Sequence, residues 1–104
     1  MIDKQSEILQ AATFRRLLEH LSEREDLQNL DLMNLAGFCR NCLSKWFLAA
    51  SIEQNVNLNY EEAREIIYGL SYPEWKKKYQ SSASEEQKNK FEETKFLHAK
   101  ISGH

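Results

Sequence analysis

Proline and glycine are scarce, with one proline and three glycines in 104 residues. So few chain breakers argue against a turn-rich sandwich or barrel and favour long helices. The two cysteines are too few for a disulfide framework. Neither charge sign dominates. Fourteen basic and sixteen acidic residues leave a net charge of -2, which argues against nucleic acid as a partner. Long apolar runs are also missing, since no stretch approaches the roughly 20 residues of a membrane span. Residues 1–10 lack the basic-then-apolar pattern of a signal peptide. Together these absences point to a cytoplasmic protein with no membrane partner, whose cysteines are reduced thiols or metal ligands.

What is present is 41% hydrophobic and 29% charged, the balance of a folded chain. The length suits one domain, 1–104, with 81–104 peripheral to it. Apolar residues at helical spacing, Ala11, Phe14, Leu18 and Leu21, predict an amphipathic helix over 4–23. A second apolar pattern runs from Asp31, read as its N-cap, to Gln54. It includes Leu32, Leu35, Cys39, Leu43, Trp46 and Phe47. This central helix, about 31–54, is apolar around most of its circumference, which suits a buried spine or an oligomer interface. Gly37 interrupts it at a cost of about 1 kcal/mol. Either a neighbouring helix crosses closely there or the helix restarts just before Cys39.

Asn59 and Glu62 form a capping-box pair opening a third helix, which Gly69 suits to end. Pro73 is placed to begin a short helix through about Tyr79. Ser84 and Gln87 form another capping pair, opening a last helix with thin apolar content. The expected fold is all-α, a compact orthogonal bundle of four to five helices around the central one. Trp46, Phe47, Phe14, Ile66, Ile67, Tyr68 and Trp75 are expected to supply much of the core.

Cys39-Arg40-Asn41-Cys42 is the one motif with chemistry to offer. Packing alone explains two buried thiols. Metal binding is a second reading: Cys39, Cys42 and His20 could hold zinc or another transition metal, with His98 and His104 as further nitrogen donors. The spacing is not that of a zinc finger, and no second Cys-x-x-Cys completes a knuckle. Thiol redox chemistry is a third reading. It needs the pair at a helix N-terminus and so depends on Gly37 breaking the helix. A single cysteine nucleophile with His20 as base is a fourth. No glycine-rich phosphate loop, Gly-x-Ser-x-Gly or His-Glu-x-x-His is present, which argues against an enzyme.

The run QNLDLMNLAGFCRNCLSKWF, residues 28–47, resembles the signature of a small bacterial family catalogued as a domain of unknown function. The segments 14–21, 62–69 and 72–75 resemble it as well, so the likeness covers roughly 8–80. It implies a single-domain, all-helical bacterial protein and brings no activity, cofactor or site residue.

Two functions stay open. The leading expectation is a non-enzymatic interaction module, a homo-oligomer or one bound to a protein partner, warranted by the apolar surplus of the central helix. The alternative is a small metal-binding or thiol-redox protein using Cys39, Cys42 and His20. A weaker third is a helix-turn-helix-like nucleic-acid contact through 61–79, whose second helix is short and carries only Lys76, Lys77 and Lys78.

Overall fold

A computed structural model describes residues 3–102 of the chain. The described residues are all-helical and form six helices. These are α1 (Lys4–Glu23), α2 (Asn29–Ala36), α3 (Arg40–Glu53), α4 (Tyr60–Tyr68), α5 (Tyr72–Tyr79) and α6 (Glu85–Ser102). The sixth arises because the expected central helix 31–54 is two helices. Gly37 adopts φ 82, a left-handed value, and its N–H closes on Met33 O at 3.0 Å, ending α2. Only glycine enters that region without strain. The chain then needs two extended residues before α3 can begin.

Both readings of Gly37 hold. The helix restarts after it, and α6 crosses over it. A Cβ built on Gly37 would lie 2.9 Å from the His98 ring. His98, in the segment expected to be peripheral, is half-buried against this junction. His104 lies outside the described residues.

The helix starts follow one rule. Each of α2, α4, α5 and α6 opens with a polar residue and an oxygen-bearing partner three positions on, satisfying orphan amides of the first turn. Asp31 accepts from the Gln28 N–H at 3.0 Å, so Gln28, not Asp31, is the N-cap of α2. Asn59 and Glu62 exchange backbone bonds of 2.8 and 3.1 Å. Ser84 and Gln87 do likewise at 2.7 and 3.1 Å. Ser71 accepts from the Glu74 N–H at 3.4 Å and donates to its carboxylate at 2.8 Å. Tyr72 and Pro73 supply the first turn of α5, where a missing N–H costs nothing.

α3 packs on α4, α4 on α5, and α2 on α6, while α1 meets the bundle near its C-terminal end. Leu21, Leu32, Cys39, Cys42, Leu43, Ile67, Tyr68 and Trp75 form the buried centre, with Phe14 and Phe47 against it. Tyr68 and Trp75 meet edge to face, centroids 5.1 Å apart, a geometry that adds about 1 kcal/mol to their area burial. Two expected core residues lie outside. Trp46 is 45% exposed, because the break at Gly37 turns α3 off the stripe of α2, and Ile66 is 47% exposed beside buried Ile67. Leu35, expected on the central stripe, is 84% exposed on α2, and further apolar side chains lie open on the free parts of α1 and α6. Ile8, Leu9, Phe96, Leu97 and Ile101 all face solvent there. No helix among the described residues is long and apolar enough to cross a membrane.

Candidate functional site

The α2–α3 junction places the cysteines. After Gly37 and Phe38, Cys39 is extended at φ -141, and its carbonyl accepts the first bond of α3 from Leu43 N–H at 3.1 Å. Cys39 is therefore the N-cap and Cys42 the third helical residue, the positions that hold oxygen pairs in α2, α4, α5 and α6. Here they hold sulfur. Cys39 makes no side-chain capping bond. Instead the two Sγ atoms stand 3.7 Å apart, and the Cys42 Sγ lies 3.8 Å from Met33 Sδ on α2. Both cysteines are buried and free of disulfide. Burial, reinforced by the neighbouring Cys39, pushes the Cys42 thiol up to about 11.

Arg40, between the cysteines, is 3% exposed. Its guanidinium donates to Leu27 O at 2.7 Å, Asn29 Oδ1 at 3.1 Å, Arg24 O at 3.2 Å and Leu21 O at 3.4 Å. It also lies 5.0 Å from the Trp75 ring centroid. Leu21 and Arg24 stand at the C-terminal, negative dipole end of α1, so the buried cation caps that helix. Desolvation lowers its pKa, though arginine's very high intrinsic value keeps it charged. Arg40 ties α1 to the core through three main-chain carbonyls and the Asn29 side chain.

Asn41 faces the other way. Tyr68 donates its hydroxyl to Asn41 Oδ1 at 2.6 Å and accepts from Asn29 Nδ2 at 2.9 Å. Asn29 Oδ1 in turn accepts from the Arg40 N–H at 3.3 Å. Burial drives the Tyr68 hydroxyl above its ordinary range. This chain floors a cleft of about 320 Å³ whose walls include Gln28, Asn41, Tyr72, Trp75 and Gln87 and no charged side chain. Gln28 closes one side, donating to Tyr79 O at 2.7 Å and accepting from Ser81 N–H at 3.1 Å.

Of the expected metal residues, the fold brings Cys39 and Cys42 together and leaves His20 apart, exposed on α1. Among the described residues no three of His, Cys, Asp and Glu gather as a metal-ligand group. Met33 is the partner that sequence reasoning missed. Its place one turn before Gly37 was readable, but only the turn at Gly37 brings it to Cys42. Arg40, Asn29 and Tyr68 were missed because their partners lie in other helices.

No curated protein gives a significant match to the chain. A family model described as "Protein of unknown function (DUF1244)" matches residues 27–93, from the last residues before α2 into the middle of α6. That span holds both cysteines, Met33, Arg40 and the cleft, and excludes His20. The chain belongs to the DUF1244 family.

Proposed function

We propose that the protein is a non-enzymatic interaction module that self-associates through α1. One observation carries this reading. Residues 4–13 form helix, yet all are solvent-exposed except half-buried Ser6, with Ile8 58% and Leu9 67% exposed. A helical segment that short is marginal in water without packing, so a partner supplies what its own chain does not.

The occupant is a second copy. Lys4, Ile8, Ala11, Ala12, Arg15 and Glu19 share one face at helical spacing and are all exposed. Their order is self-complementary in an antiparallel two-fold pair. Lys4 then meets Glu19 of the partner subunit, and Ile8 lies along the stem of the partner's Arg15. Ala11 meets the partner's Ala12, where small side chains let the backbones approach. Among the described residues Glu19 makes a long 4.0 Å ion pair to Arg16, both groups in solvent. The contact is small beside the roughly 800 Å² per partner of a stable dimer, so association is weak and concentration-dependent.

Sedimentation velocity over a concentration series tests this. The wild-type chain sediments faster as concentration rises. Lys4→Glu or Glu19→Lys alone shifts that rise to higher concentration, and the double charge swap restores it. A chain that stays monomeric to millimolar concentration, or a swap without rescue, would refute the assignment.

A further inference from the structure

We propose that Met33, Cys39 and Cys42 form a binding site for a soft monovalent metal ion, copper(I). The proposal is independent of self-association through α1.

The first argument is local. The breaks ending α2 and α4 have the same construction. Gly37-Phe38-Cys39 leads into α3 and Gly69-Leu70-Ser71 into α5, each with glycine at φ 82 and the N-cap two residues on. At the second break serine does what an N-cap residue does and accepts from the first-turn amide of Glu74. At the first, cysteine occupies the position without capping. Serine, threonine, aspartate and asparagine are preferred there by about 1 kcal/mol over residues that cannot cap. A departure from the local capping rule is expected at functional positions.

The second argument is geometric. Sulfurs bound at about 2.3 Å to one metal ion stand about 3.8 to 4.0 Å from each other. The Cys39–Cys42 and Cys42–Met33 separations are 3.7 and 3.8 Å. Two of the three donor separations, both from Cys42, are thus already near their spacing around a metal.

The third argument selects the ion. Structural zinc takes four ligands from cysteine, histidine or carboxylate, and among the described residues no third such ligand joins the pair. Two thiolates and a thioether are soft donors, which favour copper(I), an ion content with three ligands. Uptake replaces the two thiol protons with one cation and releases both protons to solvent, with no change of oxidation state. The site then carries one net negative charge. It sits at the N-terminal end of α3, where the helix dipole favours an anion. Cys39 and Cys42, 7% and 5% exposed, shield the bound ion from water.

The test titrates the reduced full chain with copper(I) anaerobically against a chromogenic copper(I) chelator. One copper per chain is withdrawn from the chelator, and X-ray absorption shows a shell of sulfur alone. Cys39→Ser and Cys42→Ser each weaken binding by roughly 100-fold or more, and Met33→Leu weakens it about tenfold. Cys39→Ser restores a capping residue and Met33→Leu conserves volume, so both variants fold, as circular dichroism checks. No copper withdrawn would overturn the proposal. So would half a copper per chain, nitrogen or oxygen in the shell, or a Met33→Leu variant that binds like the wild type.

Discussion

Gly37 and Gly69 have the same backbone conformation in very different settings. Each has φ 82, and each donates its N–H to the carbonyl four residues back, at 3.0 Å to Met33 and 2.8 Å to Glu65. Each is followed by an apolar residue and then an N-cap. Around Gly69 the Cβ site is open, with nothing within 4 Å. Around Gly37 it is filled by His98 from α6. The first junction also carries two buried thiols and a buried guanidinium, while the second carries an ordinary serine cap. Backbone geometry therefore does not tell the two turns apart. What is packed around the turn, and what stands at its N-cap, does.

Arg40 offers the largest expected break in that comparison. Arg40→Ala takes the guanidinium donor from the carbonyls of Leu21 and Leu27, and leaves that of Arg24 with the Leu27 N–H alone. Disrupting a buried charged network of this kind costs about 3–5 kcal/mol, against a total stability of about 5–15 kcal/mol for a typical domain. Urea denaturation is expected to show that loss, with α1 detaching first in hydrogen exchange. At the second junction the guanidinium of Arg64 is held differently, over the Tyr72 ring at 3.4 Å and paired at 3.2 Å with exposed Glu61.

Alanine at the two glycines separates conformational strain from crowding. Left-handed backbone alone costs about 1–2 kcal/mol for a residue with Cβ, and that is the expected loss for Gly69→Ala. Gly37→Ala adds the collision with His98, for a total of about 2–4 kcal/mol. In a His98→Ala background the penalty at Gly37 falls most of the way to that at Gly69, since only the His98 Cβ contact at 3.2 Å remains. Equal penalties in all backgrounds would show that α6 does not press on the junction.

Alkaline titration compares the same two regions, because each has a buried acid held neutral. The Cys42 thiol is raised from 9.0 to about 11, and the Tyr68 hydroxyl, next to Gly69, is raised from 10.0. Above its ordinary pKa each group is ionised in the unfolded chain but still protonated in the fold. The unfolded state then binds fewer protons, so stability falls as pH rises. The thiol contribution is complete below pH 9 and lost through about 11, and the phenol contribution begins to fall above pH 10. Melting temperature against pH is expected to decline in two overlapping stages, and Cys42→Ala removes the first.

The sequence made the helices legible wherever local signals decide them. The span 4–23, the Asn59–Glu62 and Ser84–Gln87 caps and the terminating Gly69 all appear as read, because each depends on residues three or four apart. The central span did not survive as one helix. Its apolar periodicity runs through Gly37 without a phase change, so only φ at that residue tells a kinked helix from two helices. The candidate site was half legible. Cys39 and Cys42 are three residues apart, within reach of pattern reading. Met33 reaches Cys42 through the helix break at Gly37, and His98 reaches Gly37 across 61 positions, contacts that no local period encodes. Trp46 and Ile66 misled for the opposite reason, since apolar identity says nothing about which flank of a helix faces its neighbour.

Asparagine at the same two glycines gives the smallest effect and the sharpest contrast. Asparagine tolerates left-handed backbone better than other residues with a side chain, because its amide bonds locally. Gly69 has no atom within 4 Å of the new Cβ, so Gly69→Asn is expected to shift stability by only about 0.5 kcal/mol. Gly37→Asn places its Cβ against the His98 ring, as alanine does, and keeps the crowding penalty while relieving the strain. The difference between the two asparagine variants in urea midpoints therefore isolates the contact of α6 with the cysteine junction. A Gly37→Asn variant as stable as Gly69→Asn would mean that His98 moves aside freely, and that α6 does not hold the junction in place.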